Sequence, residues 1–239
     1  MLRKRLCLRL SALCLLLILP VGISAKDYTL YSPDKRVLIT VGITDDISFK
    51  VAMDGNPVIR QTKIAFQTDV SDSKQMKVKK LIRSSVNAEL HPVVCQKSSV
   101  ITDWYNQLRI DFSNDISLEW RAFDNGMAWR WLSNIKGDYK VMNEMAEFPF
   151  GEKDIVWYPG EKSFYSGNEP RFTKCTLDEL GEKKLACLPV LFETNGVKAL
   201  ITESNLLNYA GMWLESTEEG IMKAVFPEYA KEKEVRGDR

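Results

Sequence analysis

Hydrophobic residues recur along this chain mostly at every second position. Val37, Ile39, Val41 and Ile43 alternate with residues of the opposite face, and after Thr44-Asp45-Asp46 a second alternating run follows: Ile47, Phe49, Val51, Met53. Asp54-Gly55 then predicts a tight turn, a strong hairpin signal between two such runs. Leu108, Ile110 and Phe112 alternate again before Asn114-Asp115. Ile116, Leu118, Trp120 and Ala122 predict the next strand, Asp124-Asn125-Gly126 the turn, and Met127, Trp129 and Trp131 one face of the return strand. Short strands separated by turn residues predict stacked antiparallel sheets, an all-β sandwich.

Helical signals are sparse. Residues 177–185 have room for one or two turns and residues 204–208 for a single turn. Residues 157–170 contain Trp157, Tyr158, Gly160, Phe164, Tyr165 and Gly167, and are expected to form a long aromatic loop. Such loops are where function concentrates, and aromatic faces among polar groups suit sugar rings.

The first 25 residues change the picture of the compartment. Arg3, Lys4, Arg5 and Arg9 precede or flank a leucine-rich run over residues 10–19, then Pro20 and Gly22 lead to Ile23-Ser24-Ala25. This is the layout of a cleaved secretory signal peptide. The apolar run is roughly half of the ~20 residues that a membrane span requires. A mature chain of residues 26–239, periplasmic or secreted and without a membrane span, is expected. The signal carries four basic residues and no acid, so 29 basic groups remain of 33, against 32 acidic ones. That balance excludes the basic face of a nucleic-acid binder. Of the cysteines, Cys95, Cys175 and Cys187 remain after cleavage. Cys175 and Cys187 are the nearest pair for a disulfide, and unpaired thiols are the alternative.

Familiar catalytic templates are missing. There is no G-x-S-x-G elbow, no phosphate-binding glycine loop, no H-E-x-x-H and no EF-hand loop. The single histidine, His91, precedes Pro92 and reads as a surface residue. Arg236-Gly237-Asp238 is too short to carry weight in a charged tail over residues 231–239. Carboxylates are plentiful: Glu144, Glu147, Glu169, Glu193 and Glu203 lie near aromatic or apolar segments. Counting them leaves a two-carboxylate glycosidase open.

Several segments in order resemble glycoside hydrolase family 97. Tyr105-Asn106-Gln107-Leu108 and Trp120-Arg121-Ala122-Phe123-Asp124-Asn125-Gly126-Met127-Ala128-Trp129-Arg130-Trp131 resemble that family's hairpin. Trp157-Tyr158-Pro159-Gly160 resembles its W-x-P-G segment. Glu193-Thr194-Asn195-Gly196, Ile201-Thr202-Glu203 and Tyr209-Ala210-Gly211-Met212 resemble its next block, and Tyr31-Ser32-Pro33-Asp34 its opening. The resemblance implies an N-terminal antiparallel β-super-sandwich of galactose-mutarotase type, with its C-terminal end incomplete. The resemblance also implies that this domain is part of an exported exo-acting α-glucosidase or α-galactosidase acting on α-linked glucosides or galactosides. The family carries its catalytic carboxylates and most of its calcium ligands on a (β/α)₈ barrel, and this sequence stops at Arg239, before that barrel. The resemblance therefore implies a domain that lines the active-site pocket, needs the missing barrel domain as partner, and does not hydrolyse sugars alone. It also implies one calcium ligand here, Glu169, by its spacing to Leu177, with a small insertion over residues 163–168. A free-standing carbohydrate-binding or surface-interaction module is the alternative.

Overall fold

The computed structural model describes residues 26–73, 76–94, 97–207, 209–217 and 219–228. The expected signal peptide (residues 1–25), Cys95 and the charged stretch 231–239 lie outside the described residues. In chain order the first strands are β1 (Lys26–Tyr31), β2 (Val37–Ile43), β3 (Ile47–Met53), β4 (Asn56–Thr68), β5 (Val78–Leu90), β6 (Ile101–Phe112), β7 (Ile116–Phe123), β8 (Gly126–Ser133) and β9 (Val141–Pro149). They are followed by β10 (Ile155–Glu161), β11 (Phe172–Thr176), a one-turn helix α1 (Leu177–Leu180), β12 (Leu185–Ala186), β13 (Val190–Thr194), β14 (Val197–Ile201), β15 (Trp213–Ser216) and β16 (Ile221–Val225).

Twelve strands form one sheet, in the order β1-β2-β3-β4-β9-β16-β15-β12-β10-β13-β14, with β11 added against β10. β5-β6-β7-β8 form a second sheet. Every ladder is antiparallel. The all-β sandwich expected from the period-two pattern is the fold observed.

The alternation decides which side chains meet. Val37, Ile39, Val41 and Ile43 of β2 are buried, as are Ile47, Phe49 and Val51 of β3, and Leu108, Ile110, Phe112, Ile116, Leu118, Trp120 and Ala122 of the small sheet. The two sheets close on aromatic rings. Phe49 lies 5.3 Å from Trp120 and 5.4 Å from Trp129, Trp129 lies 5.9 Å from Phe148, and Phe66 stacks on Trp131 at 5.5 Å. Each such ring removes a large apolar area from water, worth about 1.5–3 kcal/mol per side chain. Asp54 and Gly55 have φ of 51° and 81°, the left-handed pair that a two-residue hairpin turn requires.

The outward face of the small sheet is polar and cross-linked. Glu119, only 6% exposed, is held by Arg121 at 3.1 Å and Arg130 at 2.9 Å. Arg121 also lies 4.5 Å over the Tyr105 ring. The arginines of the hairpin motif thus clamp a carboxylate while its tryptophans fill the core.

Two expectations are corrected and a third is met. Trp157-Tyr158-Pro159-Gly160 is not loop; it lies in β10, in the interior of the large sheet. Pro159 and Gly160 imitate loop signals, yet Gly160 is required by close approach. A Cβ there would sit 2.4 Å from Tyr158 Cε1, so the Tyr158 ring lies across the bare backbone. Residues 204–207 are irregular rather than a helical turn, and Asn208 lies outside the described residues. Asn205, at φ 62°, is in the left-handed region that a right-handed turn excludes. The turn expected after Leu177 is present as α1, where the Glu179 carboxylate accepts from Thr176 N at 3.0 Å.

Candidate functional site

β10 positions most of the residues singled out by the aromatic segment. Its Val156 points into the core with Phe192 and Val190 of β13, all fully buried. Trp157, on the alternate side, donates its indole N–H to Glu193 Oε1 at 2.7 Å, and Lys174 Nζ lies 4.9 Å from its ring centroid. The Trp157 hydrogen bond, helped by Lys198 and Lys174, holds the Glu193 carboxyl below the usual range. Tyr158 Oη donates to Leu185 O at 3.0 Å, tying β10 to β12.

Glu169 lies on the 162–171 connection between β10 and β11. Within that loop Ser166 donates to Glu161, and Asn168, at φ 56°, donates its N–H to Ser166 Oγ at 2.9 Å. Phe164 meets Trp213 edge-on at 5.4 Å. Glu169 itself is exposed. Among the described residues no group of three His, Cys, Asp or Glu side chains stands close enough to hold a metal ion.

A second set of carboxylates was legible only as separate residues. Glu144 of β9 accepts a hydrogen bond from the Tyr209 hydroxyl, and burial pushes its carboxyl up, with the nearby Glu203 charge adding to the effect. Glu203 Oε1 accepts from Met212 N at 2.8 Å, and its carboxyl is also raised by burial. Burial and the Glu144 carboxylate push the Tyr209 phenol far up. These bonds fasten the irregular segment between β14 and β15 to the sheet. Sequence reasoning missed the contact because Glu144 and Tyr209 are far apart in the chain; a half-polar strand face at Glu144 was the only hint. Glu147 lies at a different position of β9, opposite Lys223.

Cys175 and Cys187 are both free thiols, the second of the two readings. Cys175 opposes Val156, whereas Cys187 Sγ donates to Pro159 O at 3.7 Å. Three residues of strand, roughly 10 Å, separate those points, beyond the Cα spacing that a disulfide spans. Burial raises both thiol pKa values.

The sequence matches the family described as Glycosyl-hydrolase 97 N-terminal over residues 30–233. This chain belongs to that family. The glycosyl-hydrolase 97 N-terminal domain is also 28% identical over 223 residues to a retaining alpha-galactosidase of Bacteroides thetaiotaomicron, covering 88% of this chain and 34% of that protein. A glycoside hydrolase family 97 enzyme from Pseudoalteromonas sp. strain K8, solved with acarbose, superposes with a TM-score of 0.72 at 20% identity, over 83% of this chain and 32% of its own. A beta-arabinopyranosidase superposes equally well, with a TM-score of 0.72 at 18% identity, over 85% and 36%. The two structures speak to fold. The chain spans about a third of the length of the relatives it matches. No helix among the described residues is long and apolar enough to cross a membrane.

Proposed function

We propose that this chain serves as the N-terminal, carbohydrate-associated β-sandwich of an exported, exo-acting α-glycosidase, an α-glucosidase or α-galactosidase. It lines one side of the active-site pocket formed with a catalytic barrel. The observation that carries this reading is the family match over residues 30–233, along a third of the length of a retaining alpha-galactosidase. The reading adds a calcium ligand, Glu169. Its chemistry fits that role in part: an exposed carboxylate offers hard oxygen, and a loop at the margin of the sheet leaves it free to meet another domain. A calcium ion takes about six to eight oxygens, so the other ligands come from the barrel. The ion supplies electrophilic stabilisation when bound; this chain supplies one charge and a wall.

Residues 26–239 alone are expected to release no sugar from p-nitrophenyl α-glucoside or α-galactoside, and to show no thermal shift with calcium. Joined to a family barrel, the same domain is expected to lose calcium affinity and turnover on Glu169→Gln, with folding unchanged. Unchanged calcium affinity and turnover in that joined enzyme would reject Glu169. Sugar release by the domain alone would reject the whole reading. The compartment is tested separately: mass spectrometry of the native protein is expected to find an N-terminus near Lys26.

A further inference from the structure

The margins of the two sheets are finished in different ways. At β1 the outward carbonyls are capped by side chains of the small sheet: Arg83 Nη1 donates to Thr29 O at 2.8 Å and Asn106 Nδ2 to Tyr31 O at 2.9 Å. β14 has only five residues, Lys198 among them, and β8 has eight, with Arg130 near the middle. β5 is different. It runs for 13 residues and, among the described residues, pairs on one side only, with β6. Its single register shift lies between Val78 and Lys80, and from Lys80 to Leu90 the ladder is regular. A long regular edge presents a row of unused N–H and C=O groups, which is a template for another strand. Lys79, Lys80 and Arg83 guard its first part, but beyond Arg83 the strand carries one charge, Glu89.

We infer that two copies of this chain join β5 to β5 in antiparallel fashion about a two-fold axis, extending the four-stranded sheet into one that spans both subunits. Directly opposed residues of an antiparallel pair share a face, so an axis normal to the sheet passes midway between a residue and its own copy. Centred on Val86, the register matches like with like. Val86 meets Val86, Ile82 meets Leu90 and Ser84 meets Ala88 on one face; Arg83 meets Glu89 and Ser85 meets Asn87 on the other. The Arg83–Glu89 pair occurs twice. Centring on Ser85 instead sets Leu81 against Glu89 and Lys80 against Leu90. Centring on Ser84 sets Leu81 against Asn87 and needs Lys79, at the irregular end of the ladder, to meet Glu89. Charge complementarity thus selects the Val86 register. Arg83 uses one N–H on Thr29 and has others to offer a carboxylate. Past the paired run, exposed Val93 and Val94 extend the apolar area beside the partner strand.

Sedimentation velocity over a wide range of protein concentration tests the contact. The unaltered chain is expected to show a monomer–dimer equilibrium. Val86→Lys sets two ammonium groups together at the axis and is expected to abolish the dimer. Glu89→Arg opposes Arg83 twice and is expected to weaken it about tenfold, and Arg83→Glu combined with Glu89→Arg to restore it. Hydrogen exchange of the unaltered chain needs no variant: β5 amides are expected to gain protection as concentration rises. A monomer at every concentration, a Val86→Lys dimer as tight as the unaltered one, a charge swap as weak as Glu89→Arg alone in folded protein, or β5 exchange independent of concentration would each overturn the inference.

Discussion

The half of the domain built on β1–β9 and the half built on β10–β16 use the same ladders for different purposes. In the first, two sheets face each other across Phe49, Trp120, Trp129 and Phe148, and polar groups are kept to the outer surface, as with Glu119 between its two arginines. In the second, a strand with Val156 buried also carries Trp157 on Glu193 beneath Lys174, and the raised carboxyl of Glu203 secures an irregular segment that also reaches Glu144 of β9 in the first half. Stability resides where apolar faces are doubly covered.

The comparison breaks first at the aromatic interface. Phe49→Ala removes a fully covered ring shared with Trp120 and Trp129, and is expected to cost about 3–5 kcal/mol in urea unfolding, enough to abolish folding of a marginal domain. A smaller loss is expected from Gly160→Ala in the other half. The added methyl must displace the Tyr158 ring, a cost of about 1–3 kcal/mol. Its hydrogen-exchange signature is expected around β10 and β12, because Tyr158 bonds Leu185 O there. If both substitutions destabilised equally and globally, the two halves would not differ in the way described.

The third effect is a matter of pH. Glu144 and Glu203 carboxyls are raised in the folded state, so folding favours their protonated forms. Their contribution is fully present below the ordinary carboxylate range and is lost as pH rises from there through the raised values. Glu144→Gln keeps an acceptor for Tyr209 and cannot ionise. The variant is therefore expected to gain stability over the unaltered protein as pH rises through that window. Thermal melts of both proteins across mildly acidic to neutral pH measure the difference, in which the lowered carboxyls Asp111 and Glu193 cancel. A constant difference would show that Glu144 is not desolvated. Smallest is Glu193→Gln, where the amide still accepts from Trp157; a change within about 0.5 kcal/mol is expected of a surface substitution.

These contrasts also explain what could be read in the sequence. β2, β3, β7 and β8 announce themselves because one face is apolar and packs on the core while the other is largely polar, which writes period two into the residues. β5 does not: its side chains are largely exposed on both faces, so no alternation marks it. β10 hides behind Pro159 and Gly160, whose roles depend on Cys187 and Tyr158 in three dimensions. The Asn195-Gly196 turn, at φ 47° and 78°, was available as a two-residue hairpin signal between β13 and β14. Glu169 could be placed by resemblance and located by the structure, but one loop carboxylate carries no local pattern of its own. The Glu144–Tyr209 contact depends on chain crossing and leaves no spacing to read.

The caps on β1 have a kinetic consequence. Because Arg83 and Asn106 belong to β5 and β6 yet hold the carbonyls of Thr29 and Tyr31, the first strand cannot peel from the large sheet without breaking bonds to the small one. Opening of the N-terminal margin and loosening of the β5–β6 hairpin are thereby coupled into one sub-global event. Their amides should exchange with a common free energy, although the two segments belong to different sheets.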